Sequence, residues 1–480
     1  MAIYLPTMPP SLTWAHWGAD GGDMAAAVAL GRLPHPPGFP TYLLLGAACM
    51  RLPWGDPAWR LNLLSALSAA VAAGLTAAAV RRVSSSAVVA LAAGLSLGLA
   101  PLFWSQALIA EVYAPAALFS AVVLLLALRP TPAWLMGVLW GLGIGVHPTL
   151  LFLAPVVVGN HGFHGLHGLK DISAFIRVHP RPLLFALLTV ALLYGPVLLV
   201  WGTAPSPWAD LSSPAGWWAY VSGRLYHGYL FGLPLAFWPR RLLAWAGLMA
   251  RQFTPVGVLL ALWGWARLWR ERRPLALTTA LAFGAFSLYA VGYNTADSLV
   301  YLTPALPLAA LWLGAGLDAV LRTAYSVLRI PYPLPPASCP RPPASCLLPL
   351  ASCLLPPASC LLPPASCFLL PAFCFLLFWH QMDLHHDRTA VAWAVQTLRA
   401  APPDAVLLTA QDGATFALWY VRDVLGERPD VRIVDRDLLA HAPYRRFLET
   451  EWETTGALEE ALQDPARPVI AVYAPLERGP

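Results

Sequence analysis

The sequence predicts an all-α polytopic membrane protein of about nine to eleven transmembrane segments, followed by a small α/β domain outside the membrane. Three observations predict it. Of the 480 residues, 58% are hydrophobic and only 11% charged, with a mean hydropathy of +0.60, which is too apolar for an ordinary soluble domain. The apolar residues fall in runs separated by short arginine clusters. From Asp383 onward the composition reverts to that of a soluble domain in which strand and helix patterns alternate.

Taken in order, the chain opens with Met1–Trp14, which has no basic n-region and too little apolar length for a signal peptide or a spanning helix. Apolar runs follow at roughly 61–80, 86–104, 112–128, 134–158, 183–203, 242–265, 275–292 and 299–320, with a poorer one ending near Trp379. Lys170 is the single lysine, so the formal net charge of +5 rests on arginine. The basic residues sit in short clusters between runs, a pattern of membrane topology rather than nucleic-acid binding. The positive-inside rule assigns Arg81/Arg82, Arg129, Lys170 to Arg181, Arg267 to Arg273, and Arg322 with Arg329 to the cytoplasm. Arg129 and Lys170 share a side only if the chain crosses an even number of times between them. The run 134–158 is therefore expected to be two short or re-entrant segments turning near "GVHPT", with His147 at the outer turn. The same parity places Asp20, Asp23, Glu111, Asp210 and Asp297 on the outer face, where an aqueous site could gather them. Arg240 and Arg241 also fall there, against the rule, unless they belong to an interfacial helix.

Between the last two apolar runs, Cys339, Cys346, Cys353, Cys360, Cys367 and Cys374 recur every seven residues. Proline in nearly every repeat rules out a coiled coil, and no paired C-x-x-C spacing suggests a metal site. The stretch reads as a low-complexity expansion without chemistry. The expected organisation is a membrane domain over 1–333, the repeat and last membrane segment over 334–380, and a soluble α/β domain over 381–480. In that domain "DAVLLTA", "DVRIVD" and "PVIAVYA" read as strands and "ATFALWYVRDVLG" as a helix. The "TAQDGATF" turn, at a strand's carboxyl end, is either a ligand-facing turn or, through Asp412, a plain helix N-cap.

The stretches "GADGGDMAAAVALGRLPHPPGFPTYLLLG" and "GDPAWRLNLLSALSAA" resemble the signature of the DUF2723 family of bacterial and animal membrane proteins. "FWSQALIAEVYAP", "GIGVHPTLLFLAP", "PSPWADLSSPAGWWAYVSGRLY", "GYNTADSLVYLTPALPLAALWLGAGL" and "APPDAVLLTAQDGATFALWYVRDVLGERPDVRIVD" extend the resemblance over nearly the whole chain apart from the repeat. The resemblance implies a GT-C glycosyltransferase fold and, from the family's animal members, an activity like that of protein O-mannosyltransferases. It also implies a full first transmembrane helix, of which only about the last third is present here. Where the family usually has Asp-Ser-Gly-Glu, this chain has Asp20-Gly-Gly-Asp23.

Such enzymes take a sugar from a polyprenyl phosphate and need a carboxylate as base and a cation for the departing phosphate. A hydroxyl is a poor nucleophile at neutral pH, so a carboxylate must accept its proton as the new bond forms. The resemblance points to Asp20 as that base, with Asp23 beside it; by itself Asp20 reads as a turn or N-cap residue. The glycines at 21 and 22 would allow a tight turn and a close substrate. Arg60 is the candidate for the phosphate and reads equally as an interfacial anchor, with Arg224 in reserve. His35 lies in a Pro-framed turn. Glu111 could contact sugar or acceptor or simply cap a helix, and His147 and Asp297 read best as structural polar residues.

The expected function is a membrane glycosyltransferase on the extracytoplasmic face of a bacterial plasma membrane. Its donor is a polyprenyl-phosphate sugar, with mannose the sugar the resemblance suggests, and its acceptor a protein, lipid or glycan hydroxyl. The alternative is a transporter or lipid-handling protein, which should show internal repeats with charges near the midplane. The sequence shows neither. It has no Gly-rich nucleotide loop and no H-E-x-x-H, so no cofactor or metal is expected. Removing whole heptads between Pro335 and Pro363 should leave insertion and activity intact, provided the last helix still reaches the membrane. Loss of activity in a normally inserted deletion protein would contradict this.

Overall fold

The structure is a computed structural model that describes residues 1–165, 180–203, 205–327, 365–451 and 468–475. The repeat between 335 and 363, Lys170 and Arg329 lie outside these residues. Among the described residues, five helices are long and apolar enough to cross a bilayer: Pro57–Val80, Arg181–Trp201, Leu235–Glu271, Arg273–Gly292 and Ser298–Val327. Six shorter apolar helices lie among them: Pro40–Cys49, Ala87–Gly98, Tyr113–Ala127, Ala133–Ile144, Pro148–Gly159 and Leu369–Met382.

Local chemistry explains where each begins and breaks. Asp56 caps Pro57–Val80 by accepting the Trp59 amide at 2.8 Å, and Pro57 occupies the first helical position. The buried face of this helix carries Ser65, Ala66, Ser68, Ala69 and Ala72, small residues that let helix backbones approach closely in lipid. The run expected at 86–104 divides into Ala87–Gly98 and Pro101–Gln106, because Ala100 precedes a proline and turns extended. The run 134–158 breaks at Gly145–His147, where the turn near "GVHPT" was expected, between Ala133–Ile144 and the 3₁₀ segment Pro148–Leu153. The run 242–265 is not one straight span. Within Trp238–Glu271, Thr254 has φ 60° and Pro255 follows it, so the helix kinks there. The first part carries Arg240 and Arg241, and Arg241 donates to the Thr295 carbonyl at 2.6 Å. In the last repeat unit, proline does not forbid a helix. Pro371 and Cys374 both lie in Leu369–Met382, with Pro371 in the first turn, where its missing N–H has no intrahelical partner to lose.

The helix Leu306–Val327 leaves the end of the bundle where Tyr301 and Asp297 lie and carries Asp318 toward the other end. There Asp318 is fully buried and accepts from Arg267 Nη1 at 2.6 Å, Arg322 Nε at 2.7 Å and Ser84 Oγ at 2.6 Å. Ser84 follows Arg81 and Arg82, so four of the basic residues assigned to one side collect at one end of the bundle.

The described residues from 389 onward form the soluble part. Strands Val406–Thr409, Arg432–Asp435 and Val469–Ala471 make a parallel sheet in the order second, first, third, with Thr409 opposite Asp435 and Leu408 opposite Ala471. The helix Asp412–Trp419 starts at the carboxyl end of the central strand, and Thr389–Ala400 buries Ala390, Ala394 and Leu398 on one stripe. Asp318→Ala should destabilise the protein by about 3 kcal/mol, because it leaves Arg267 without its buried carboxylate. The check is a lowered Tm of the purified protein in detergent.

Candidate active site

A cavity of about 770 Å³ opens at the end of the bundle opposite Asp318. Its walls come from five separate stretches of chain: Trp17 to Phe39, Glu111 to Tyr113, His147 to Phe152, Val221 to Leu230, and Tyr289 to Tyr301. Asp412 joins them from the soluble part. The cavity thus holds four carboxyl groups (Asp20, Glu111, Asp297 and Asp412) and three histidines (His35, His147 and His227). Six tyrosines, at 113, 226, 229, 289, 293 and 301, complete the wall. Among the described residues, no arginine or lysine lines it.

Asp20 occupies the N-cap position of the buried helix Gly21–Leu30, yet its side chain makes no capping bond. Among the described residues its carboxylate makes no hydrogen bond. Its side chain is 37% exposed, and that exposed surface faces the cavity. Enclosure by protein raises the Asp20 carboxyl above the usual carboxylate range; Asp297 and Asp23 add to this and His35 opposes it. The two residues His16 and Trp17 just before it both have left-handed backbone, φ 61° and 69°, and Gln106 Nε2 donates to the His16 carbonyl at 3.0 Å. Such strain persists only where surrounding structure holds it.

Asp23 lies in the first turn of the same helix, and the structure gives it a different place. It is 1% exposed and does not line the cavity. Its Oδ2 accepts the His35 backbone N–H at 2.8 Å and lies 2.9 Å from His35 Nδ1, while its Oδ1 accepts the Trp208 indole N–H at 3.0 Å. The carboxylate therefore fixes the ring of His35, whose Nε2 stands 3.8 Å from Asp20 Oδ2. Phe39 and Trp208 flank that ring edge-on at 5.1 and 6.1 Å.

The glycines do not make the tight turn expected of them, since both lie in the first turn of a helix with ordinary helical backbone. Gly22 serves a close approach instead. A Cβ there would fall 2.3 Å from the Phe416 carbonyl oxygen, so the soluble helix Asp412–Trp419 lies directly on Gly21–Leu30. Around this contact Arg32 pairs with Asp423 at 3.1 Å and stacks over Trp419, and the Trp14 indole donates to the Gly413 carbonyl at 2.9 Å. Phe416 and Trp419 flank Trp208 at 5.9 and 6.1 Å. Docked in this way, Asp412 opens to the cavity rather than capping its helix, where Gln411 holds the N-cap position. Enclosure and then the Asp20 charge raise the Asp412 carboxyl, and His35 opposes them.

The other expected residues divide. Glu111, 2% exposed, and His147, 8% exposed, both line the cavity, and the Thr149 amide donates to His147 Nδ1. Asp297 lines it too. Arg60 does not; its guanidinium donates to the Met50 carbonyl at 2.8 Å and the Trp54 carbonyl at 3.1 Å and so ties down the loop that precedes its own helix. Arg224 is exposed one residue beyond the lining Gly223. Asp210 pairs with Arg446 of the soluble part at 2.7 Å, outside the cavity. Sequence reasoning missed Trp208 and the tyrosines. The available signal was tyrosine recurring where apolar runs break, as in "EVYAP", "GRLYHGY" and "GYNTADSLVY".

Residues 20–163 match the family of the protein O-mannosyl-transferase TMEM260 N-terminal domain, and residues 390–463 match TMEM260-associated domain 2. Over 129 residues the chain is 34% identical to mouse protein O-mannosyl-transferase TMEM260, a stretch that covers 27% of this chain and 18% of the mouse protein. The match thus spans less than a fifth of that relative. The crystal structure of ArnT from Cupriavidus metallidurans bound to undecaprenyl phosphate superposes with a TM-score of 0.56 at 15% identity, over 91% of this chain and 88% of that one. The chain has the GT-C fold. An oligosaccharyltransferase from Archaeoglobus fulgidus is more distant, with a TM-score of 0.47 at 11% identity over 90% of this chain and 62% of its own.

Trp208→Phe should keep the packing between Phe416 and Asp23 but leave one oxygen of a buried carboxylate without its donor. The expected cost is about 1–3 kcal/mol, read as a fall in Tm, and an unchanged Tm would mean the indole bond contributes nothing.

Proposed function

We propose that this protein is a membrane glycosyltransferase that moves a sugar from a polyprenyl phosphate to an acceptor hydroxyl, with Asp20 as general base. The observation that carries this reading is an unbonded carboxylate facing a large cavity whose rim is apolar. Leu151 and Leu230 line the cavity and are 50% and 44% exposed, the surface expected where a lipid-linked substrate enters from the bilayer. The ArnT structure bound to undecaprenyl phosphate supports a polyprenyl carrier on this fold, and the name of the mouse relative supports mannose as sugar and a protein hydroxyl as acceptor. The basic residues that gather with Asp318 support an extracytoplasmic cavity by the positive-inside rule.

In this reading the acceptor oxygen attacks the anomeric carbon as Asp20 takes its proton, and the bond from that carbon to the phosphate oxygen breaks, leaving its electron pair on polyprenyl phosphate. A carboxyl raised above the usual carboxylate range is a stronger base than an ordinary aspartate, which suits this step. His227 in the wall and Arg224 beside it meet the departing phosphate, a role that Arg60 is too committed to its own loop to fill. Glu111, Asp297 and Asp412 are acceptors for sugar and acceptor hydroxyls, and the tyrosines supply faces against which a sugar ring packs.

The test is to supply polyprenyl-phosphate sugars singly to the purified protein and measure release of free polyprenyl phosphate. Asp20→Asn keeps the shape but cannot take a proton, so turnover should fall about 10²- to 10⁴-fold with donor binding little changed. Near-normal turnover in a folded Asp20→Asn protein would remove Asp20 from this role. Inactivity of the unaltered protein with every such sugar would favour a transport or lipid-handling role.

A further inference from the structure

His35 and Asp23 have chemistry that a single-base mechanism does not use. Asp23 is buried and meets three N–H groups: the His35 amide, His35 Nδ1 and the Trp208 indole. Two of these are unambiguous donors, so the carboxylate acts as an acceptor and Nδ1 of His35 carries the hydrogen. The neutral imidazole then presents an unprotonated Nε2 to the cavity, on the side of Asp20. This is the arrangement in which a buried carboxylate sets a histidine's tautomer and stabilises its charged form.

We propose that Asp23 and His35 form a proton relay behind Asp20, with His35 Nε2 taking the proton that Asp20 removes from the acceptor hydroxyl. The inference rests on the glycosyl-transfer reading and deepens it. The balance is direct. The acceptor O–H proton moves to Asp20 Oδ2 as the C–O bond forms, and then to His35 Nε2, giving an imidazolium between two carboxylates. Asp20 returns to its anionic form before the next turnover, and the imidazolium releases its proton to water in the cavity. The 3.8 Å gap between Nε2 and Oδ2 closes with a small rotation of an Asp20 side chain that nothing else holds.

The groups facing His35 are Asp20 from the strained segment, Asp23 from its own helix, Asp412 from the soluble part, and His147 and Tyr226 across the cavity. Burial disfavours a charged His35. The charge of Asp20, the hydrogen bond and charge of Asp23, and then Asp412 outweigh it, and His35 lies above the ordinary histidine value. Since Nε2 must be unprotonated to accept, activity should rise with pH through the His35 titration. Removing the Asp23 charge should lower that titration; it lowers the Asp20 titration as well, so the acidic limb of the pH–rate profile moves to lower pH by either route and the relay is read from the His35 titration itself.

Two measurements decide it. The first needs no turnover: ¹⁵N-histidine NMR of the full-length protein in detergent, in which the neutral form of His35 should be protonated at Nδ1 and its titration should fall in Asp23→Asn. The second is activity. His35→Ala should lose about tenfold or more in turnover with donor KM little changed, and added imidazole should restore part of it. His35→Asn, which keeps an N–H toward Asp23 but cannot take a proton, should stay folded and slow. A neutral His35 protonated at Nε2 would overturn the relay, as would His35→Asn turning over like the unaltered protein. So would a folded His35→Ala protein that imidazole does not rescue together with an unmoved His35 titration in Asp23→Asn. An unaltered protein that releases no polyprenyl phosphate would instead count against glycosyl transfer, and the NMR result would still stand or fall by itself.

Discussion

The buried carboxylate of Asp23 is the constraint around which the cavity end of this molecule is arranged. A charge taken out of water is costly unless hydrogen-bond donors replace the solvent. Here the donors come from two distant parts of the chain: the turn at His35 and the loop at Trp208. Satisfying one side chain therefore pulls the Pro-framed turn onto the helix Gly21–Leu30 and draws the 205–213 loop over both. The loop's indole is then gripped from the other side by Phe416 and Trp419, so the soluble part is joined to the same carboxylate through a single aromatic ring.

The two ends of the bundle handle buried charge differently. At one end Asp318 is neutralised by Arg267 and Arg322, and this ion cluster locks helices together. At the other, four carboxyl groups face a common space with histidine as the basic side chain among the described lining residues. Charges that repel one another are kept together only where something is gained by it, and perturbed groups of this kind concentrate at sites of chemistry. The contrast separates the acid tied into an ion cluster from those that open onto the cavity more clearly than any single distance does.

Much of this was legible in the sequence, and the limits follow from range. Apolar runs and arginine clusters are local signals, and they located the long helices and grouped Asp20, Glu111, His147 and Asp297 at one end. The strands "DAVLLTA" and "DVRIVD" were legible for the same reason. Proline-induced breaks at Ala100 and Thr254 were written in the sequence but were submerged by the hydropathy of the runs around them. Asp23 could not be told from Asp20 by spacing alone, because what buries it is an indole 185 residues away. Arg60 was misleading in the opposite way. A guanidinium at a helix start is placed well for an anion, and only the nearby carbonyls of Met50 and Trp54 reveal that its donors are committed. The glycine at 22 read as part of a tight turn open to substrate because the surface that needs its missing side chain lies far along the chain, at Phe416.

That last contact bears on the order in which the molecule comes into being. Arg32 and Asp423 are 391 residues apart in sequence, so at ordinary elongation rates the docking helix leaves the ribosome on the order of 20 to 80 s after the strand of chain it covers. During that interval the helix bundle can insert and pack, but Asp412 is absent from the cavity and Trp208 lacks the aromatic faces that hold it against Asp23. The cavity is thus closed only after the segment that carries Asp412 and Asp423 has emerged, long after its other walls are in place.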